Sequence, residues 1–326
     1  MNSKPMVTVA IPTFNRINYL KEAIESVLTQ TVQDIEILIA DNASTDGTEG
    51  MVRKIADADS RIVYFRHSHN IGQIGNWNFC LEKARGEYFL MLSDDDIMEK
   101  ESIARLLSGF EDPQVTLVYS KVLFIDSYSQ PFGLSKAALQ LEAGGDFILG
   151  SLSHGREIYP SATMHRTDTA KRVGGYPDIG TTTDLAIRLR IAQEGKVKFV
   201  NIPLVRYRIH NSALSNSGDK VASSFEQFLA WIAKEENPLY EYRRQALRFS
   251  VKYIEKLARS QSLRGNCDKL QSIVSILKKV DPSWRNEEKL KFFGLLPIRM
   301  VATSRRLMRM ELAKLFYRIY DSCLLK

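Results

Sequence analysis

Four short runs, apolar almost throughout, recur within residues 6–92: "MVTVAIPTF", "IEILIAD", "IVYFRH" and "EYFLML". No other feature restricts the fold of this chain as strongly. A strand that is apolar on both faces must be covered on both, which is the condition of a parallel sheet held between helical layers. The intervening segments supply the helices. In "NYLKEAIESVLTQ", Tyr19, Leu20, Ala23, Ile24, Val27 and Leu28 share one helical face and Asn18 stands where a cap would. "GTEGMVRKIADA" and "GNWNFCLEKARG" read as the next two helices, the latter closed by Gly86.

Farther along, "VTLVYSKVLFID" and "REIYPSATMHR" read as strands and "TDLAIRLRIAQEG" as a helix ending at Gly195. Beyond about residue 220 strand signals cease, and helical segments such as "EYRRQALRFSVKYIEKLARS" and "CDKLQSIVSILKKV" take over. The turn-rich "SNSGDKVA" divides an α/β unit, residues 1–218, from a helical region, residues 219–326. Charge divides at nearly the same place. Residues 1–219 hold 23 Lys and Arg against 27 Asp and Glu, whereas residues 220–326 hold 22 against 11, a net of +11. Such asymmetry points the second part toward an acidic partner or a solvated basic surface. Cys80, Cys267 and Cys323 have neither disulfide nor metal-site spacing, so a reducing compartment is expected. The N-terminus lacks a signal core and no run of 18 apolar residues occurs, so neither secretion nor membrane spanning is expected.

Ligands of an open parallel sheet bind beyond the carboxyl ends of its strands. Three polar clusters fall at such ends: "PTFNR" after the first strand, "DNASTDGT" after the second, and "SDDD" after the fourth. The last is the most demanding. Two carboxylates about 5 Å apart repel by roughly 3 kcal/mol at an effective dielectric of 20, so Asp94, Asp95 and Asp96 need solvent, cationic side chains or a bound cation. Hard oxygen ligands on a loop suit Mg2+ or Mn2+, which favour carboxylates together with substrate phosphates. No glycine-rich phosphate loop of either common type is present.

Taken in order, "PTFNR", "ADNASTDGT", "NIGQIGNWNFCLEKARGEYFLMLSDDD", "VGGYPD", "TDLAIRLRIAQEG" and "YRIHNSALS" resemble a family 2 glycosyltransferase of the GT-A fold, over roughly residues 5–215. That resemblance implies an α/β, Rossmann-like, mostly parallel sheet flanked by helices. It implies that Pro12, Thr13, Asn15 and Arg16 line a nucleotide pocket, that Asp41 reads the base, and that Asn70, Gly72 and Asn76 approach the nucleotide-sugar. The family's acidic motif is Asp-x-Asp-Asp, where this chain has Ser93-Asp94-Asp95-Asp96. In that register Asp95 is the metal ligand and Asp94 reaches the ribose or supports the metal. His210 is implied at the metal or the phosphates, and Arg208 at the diphosphate. Trp77, Met91 and Met164 read as core.

Relatives with these motifs are inverting enzymes, in which an acceptor hydroxyl attacks the anomeric carbon while a carboxylate takes its proton. The family's base lies after "GGY", commonly as Glu-Asp with another acid two residues on. Here the stretch is "GTTTDLAIRLR": one alignment leaves Thr182 at the base position, and a two-residue shift makes Asp184 the base. Threonine is no general base at neutral pH, so Asp184 is the candidate and Asp178 the outside alternative. The implied reaction moves a sugar from a nucleoside-diphosphate-sugar, UDP-linked by family weight, to a saccharide or polyprenyl-linked saccharide in surface polysaccharide synthesis. The alternative from another class is a nucleotide-sugar-binding protein that has lost its base. In "SRRLMRMELAKLFYRIY", Met308, Leu312, Leu315 and Ile319 face one way and Arg305, Arg306, Arg309, Lys314 and Arg318 the other. Such a helix suits the anionic inner face of a cytoplasmic membrane, or packing against the protein body or a second subunit. Nucleic acid is not expected, because no binding motif or stacking platform accompanies the charge.

Overall fold

The computed structural model describes residues 4–210, 218–263 and 267–281. The chain opens with β1 (Val7–Thr13), α1 (Ile17–Leu28), β2 (Ile35–Asp41), α2 (Thr48–Ala56), β3 (Ile62–Arg66), α3 (Gln73–Lys83) and β4 (Tyr88–Met91). These four strands are parallel, in the order β3-β2-β1-β4. Side chains divide between the faces with the period of two that strands impose. Val7, Val9, Ile11, Ile35, Ile37 and Ile39 bury against Leu20, Ile24 and Val27 of α1. Ala10, Leu38, Ala40 and Phe89 point into the opposite layer with Cys80 and Leu81 of α3. The two-sided cover that the apolar strands require is therefore present.

Next come β5 (Ile97–Met98), α4 (Ser102–Leu107), β6 (Val115–Ile125), β7 (Pro131–Leu134), β8 (Leu141–Ala143), α5 (Gly144–His154), β9 (Thr163–Arg166), α6 (Thr167–Arg172), α7 (Thr183–Gln193) and β10 (Lys196–Arg208). One ten-stranded sheet results, continuing β4-β9-β6-β10-β5, with β7 beside β6 and β8 beside β10. Its second half is mixed: β9 runs antiparallel to β4 and β6, while β6 and β10 are parallel. Helices α8 (Gly218–Ile232), α9 (Arg243–Leu263) and α10 (Cys267–Val280) follow. Phe225, Phe228, Ile254 and Ile273 from these helices share one buried cluster with Phe89 and Tyr119 of the sheet. No helix among the described residues is long and apolar enough to cross a membrane.

Several local expectations need correction. Helix α1 starts before Asn18, and its first amide is capped from elsewhere: the Ile17 N–H donates to Asp46 Oδ2 at 3.0 Å. Gly86 does not close α3, which ends at Lys83; it lets the chain pass β1, because a Cβ there would lie 2.3 Å from the Thr8 nitrogen. Within "REIYPSATMHR" only Thr163–Arg166 is strand, since Pro160 begins a short 3-10 turn that supplies no ladder donor. Residues 215–217 of the "SNSGDKVA" boundary fall outside the described residues while its remainder opens α8, and the expected basic helix around residues 305–320 falls wholly outside them.

Candidate active site

The carboxyl ends of β1 and β4 lie side by side, and the acidic triplet leaves β4 in a tight turn closed by the Asp96 N–H donating to Ser93 O at 3.1 Å. The turn sends its three carboxylates in different directions, which answers the repulsion problem. Asp96 points inward. It accepts from the Arg208 N–H at 2.8 Å and from the Ser161 hydroxyl, and burial, then the Asp95 charge, pushes its carboxyl well above the usual range. It is a structural post and not the cap of α4, where Glu101 occupies the capping position. Asp94 accepts from the Thr13 hydroxyl at 2.7 Å and from Arg16 Nη1 at 3.0 Å. Burial lifts its carboxyl to about 6 in spite of Arg16. Asp95 Oδ2 receives Arg16 Nη1 at 2.7 Å and lies 2.9 Å from His210 Nε2. One guanidinium thus bridges two of the acids.

Asp94 and Asp95 open onto a cleft of about 510 Å³. Pro12, Thr13 and Arg16 line it from the end of β1, and Asn70, Gly72 and Asn76 from the start of α3. Asp184, in the first turn of α7, faces the same cleft from its other side. Its Oδ2 accepts from Arg188 Nη2 at 3.0 Å, and Arg188 is itself buried. Among the described residues, Asp94, Asp95 and Asp184 are the only carboxylates on the lining. Thr182 turns away: its hydroxyl donates to Ile179 O and Ser224 O, at 2.9 and 3.1 Å. Asp178 is exposed and not part of the lining.

Four expected residues do not reach the lining: Asn15, Asp41, Arg208 and His210. Asn15 holds a loop, with φ of 53°, its N–H on Ser44 Oγ and its Oδ1 accepting from the Thr45 N–H. Asp41 is fully buried, its two oxygens taken by the Ser44 N–H and the Tyr64 hydroxyl at 2.8 Å each, so it shapes the loop and does not present a carboxylate to a base. Arg208 also departs from expectation. Its side chain, 1% exposed, donates to Glu22 at 2.8 Å, to Asp95 O at 2.8 Å and to Ser129 Oγ at 2.9 Å, and lies over the Tyr19 ring. With those donors engaged, it braces the acidic turn and has no free edge for a diphosphate. His210 stands behind Asp95, 5.6 Å from the Tyr19 ring.

Sequence reasoning missed Asn42, whose side chain ties the β2 loop to the start of α3. It accepts from the Ile71 N–H at 2.8 Å and donates to Asn70 Oδ1 at 2.9 Å. The "DN" pair after the strand was its available signal. Trp77 and Met91 line the cleft, whereas Met164 is buried core. Tyr207, which opens the "YRIHNSALS" motif, lies on the far wall with Pro160 and Thr181, and no local motif marks the latter two.

Among the described residues no group of three or more His, Cys, Asp or Glu is set to hold a metal. A divalent ion here would take two protein ligands, Asp95 and His210, and the rest from substrate and water. Asp95 Oδ2 lies on the cleft, and His210 Nε2, hydrogen-bonded to it at 2.9 Å, stands directly behind, so these two side chains supply the carboxylate and imidazole donors that such an ion accepts.

Residues 8–168 match the family model described as Glycosyl transferase family 2. The putative teichuronic acid biosynthesis glycosyltransferase TuaG of Bacillus subtilis is 26% identical over 226 residues, 68% of this chain and 86% of that protein. The GalNAc(5)-diNAcBac-PP-undecaprenol beta-1,3-glucosyltransferase of Campylobacter jejuni is 36% identical over 104 residues, 32% of this chain and 34% of its own. Among solved structures, the mannosyltransferase PcManGT of Pyrobaculum calidifontis, in complex with GDP-Man and Mn2+, superposes with a TM-score of 0.57 at 17% identity, covering 87% of this chain and 77% of that one. The fold is GT-A, and through residues 8–168 the chain belongs to glycosyltransferase family 2.

Proposed function

We propose that the chain is a divalent-metal-dependent inverting glycosyltransferase. It transfers a hexosyl or N-acetylhexosaminyl group from a nucleoside-diphosphate-sugar, taken as uridine-linked, to a saccharide or polyprenyl-linked saccharide acceptor of surface polysaccharide synthesis. The observation that carries the reading is that the Asp94–Asp95 turn and the Asp184 carboxylate line one cleft. The acceptor named for the Campylobacter relative and the teichuronic acid named for the Bacillus one support the acceptor class. Residues 1–218 are the catalytic unit in this reading, and residues 219–326 a helical region that meets the acceptor, the membrane surface or a second subunit.

Asp184 accepts the proton of the attacking hydroxyl as the new C–O bond forms, and the anomeric C–O bond to the diphosphate breaks on the opposite face. General-base help of this kind is worth about 10²–10⁴-fold. Arg188 holds the carboxylate in place from the protein side. Pro12, Thr13, Asn70, Gly72 and Asn76 form the donor wall. Asp95 and His210 would hold Mn2+ or Mg2+, which when bound offsets the charge of the departing diphosphate as a Lewis acid. Arg16 already places a cation on the same edge.

The test is a thermal-shift screen of nucleoside diphosphates and their sugars with Mn2+ or Mg2+, followed by donor turnover in Asp184→Asn. A cognate donor at a hundredfold excess over its Kd raises stability by about 2.7 kcal/mol. The variant should keep that shift and lose about 10²–10⁴-fold in turnover. Full turnover in the variant would end the base assignment, and a screen without any shift would end the donor reading.

A further inference from the structure

We propose that Tyr253 of α9 forms, just outside the cleft, a stacking subsite for a pyranose ring of the acceptor saccharide. The proposal rests on the reading of Asp184 as the carboxylate of the acceptor side. Tyr253 is 37% exposed, and its ring is supported from beneath: the Phe225 ring lies 4.7 Å away at 37°, and that of Phe249 lies 6.1 Å away. That support leads directly to the cleft wall. Phe225 follows Ser224, whose Oγ accepts from the Thr181 N–H at 2.9 Å, and Thr181 is an exposed residue of the lining. Gly180, also on the lining, fits there because a Cβ would meet Ser224 Oγ at 2.3 Å. One turn of α8 therefore touches the wall with one residue and carries the Tyr253 stack with the next.

Aromatic rings continue along the same wall. Tyr207 lines the cleft, and Tyr159 packs on it with ring centroids 4.7 Å apart. The Asp184 charge reaches both Tyr207 and Tyr253, adding to the burial that pushes each phenol up. Tyr159 in turn senses Tyr253. A half-exposed tyrosine whose ring is fixed by Phe225, the neighbour of the wall-contacting Ser224, matches a sugar ring. The pyranose offers a face of polarised C–H groups to the electron-rich ring face, and its hydroxyl edge to the phenol. A scattered surface aromatic needs no explanation; one wired by packing to the wall that carries Thr181 and Asp184 does.

The experiment uses the full chain labelled with 3-fluorotyrosine, the Tyr253 resonance being assigned by its loss in Tyr253→Phe. Methyl glycosides of glucose, galactose, mannose and their N-acetylamino forms are titrated into the tens of millimolar range. The expected result is a saturable shift of that resonance by at least one glycoside. In transfer assays with that glycoside, Tyr253→Ala should raise acceptor KM about tenfold with kcat within about twofold, as loss of one aromatic contact predicts. Tyr253→Phe, which keeps the ring, should restore most of the KM. No shift with any glycoside, or an unchanged KM in Tyr253→Ala, overturns the subsite. Retained turnover in Asp184→Asn would instead strike the base assignment, while the fluorine titration still decides on Tyr253.

Discussion

Replacing Arg16 by Gln tests what holds the acidic turn together. Its Nη1 lies 3.0 Å from Asp94 Oδ1 and 2.7 Å from Asp95 Oδ2, and those two side chains are only 8% and 13% exposed. A charge pair at 3 Å and an effective dielectric of 20 attracts by about 5 kcal/mol, before the cost of desolvation. Stripping one partner from a buried pair commonly costs about 3–5 kcal/mol. Arg16 is 31% exposed, and Asp94 keeps its bond from Thr13, so the lower end of that range applies, about 3 kcal/mol. For a chain of this size that corresponds to a fall in Tm of about 4–6 °C. The assay is differential scanning calorimetry of both proteins, first in a chelator and then in saturating Mn2+. In chelator the variant should melt lower; with Mn2+ the gap should narrow, because the ion supplies the missing positive charge to the same oxygens. Equal melting in chelator would refute the view that Arg16 neutralises the turn. A gap unaltered by Mn2+ would refute the view that ion and guanidinium serve the same carboxylates.

Gly180→Ala should destabilise the protein by about 1–3 kcal/mol, since φ is +66° and the new Cβ would meet Ser224 Oγ at 2.3 Å. Adding Ser224→Ala should recover part of the loss in a thermal melt, and no recovery would show that the clash is not the cause. His165 predicts a pH dependence: burial lowers it to about 4 from 6.5, and its Nδ1 has no partner among the described residues. The unfolded chain then binds a proton between those values that the folded one refuses, so stability falls as pH drops through that window, by about 3 kcal/mol. Urea melts of His165→Phe should lack that component of the slope, and parallel slopes would refute it.

The parallel half of the sheet was legible because its signal is local. Each of β1 to β4 is apolar on both faces, and each helix between them carries one apolar stripe. β9 was legible only in part, since its place between β4 and β6 depends on partners far away in sequence. The lining at Pro12, Thr13, Asp94 and Asp95 could be read because strand ends and polar clusters coincide. Asp41 and Arg208 could not be read correctly, for a reason that is physical. The sequence offers a carboxylate and a guanidinium, but Tyr64 and Ser44 claim the one, and Glu22, Ser129 and the Asp95 carbonyl the other. Whether a polar group faces ligand or scaffold is decided by partners that no motif contains.

The same reasoning bears on the helices after residue 218. Read as sequence, they form a separate basic appendage. In the fold, Ser224 of α8 holds the Thr181 amide and Thr182 hydroxyl, and that short turn leads straight into α7 and Asp184. A shift of α8 by one hydrogen-bond length would move the turn that positions the proposed base, and a 1 Å displacement of a reacting group costs as much as 10²-fold in rate. Contact of the helical region with an acceptor or a membrane surface would therefore be transmitted to the cleft through two side-chain bonds. The coupling is mechanical, and it requires no charge on α8 itself.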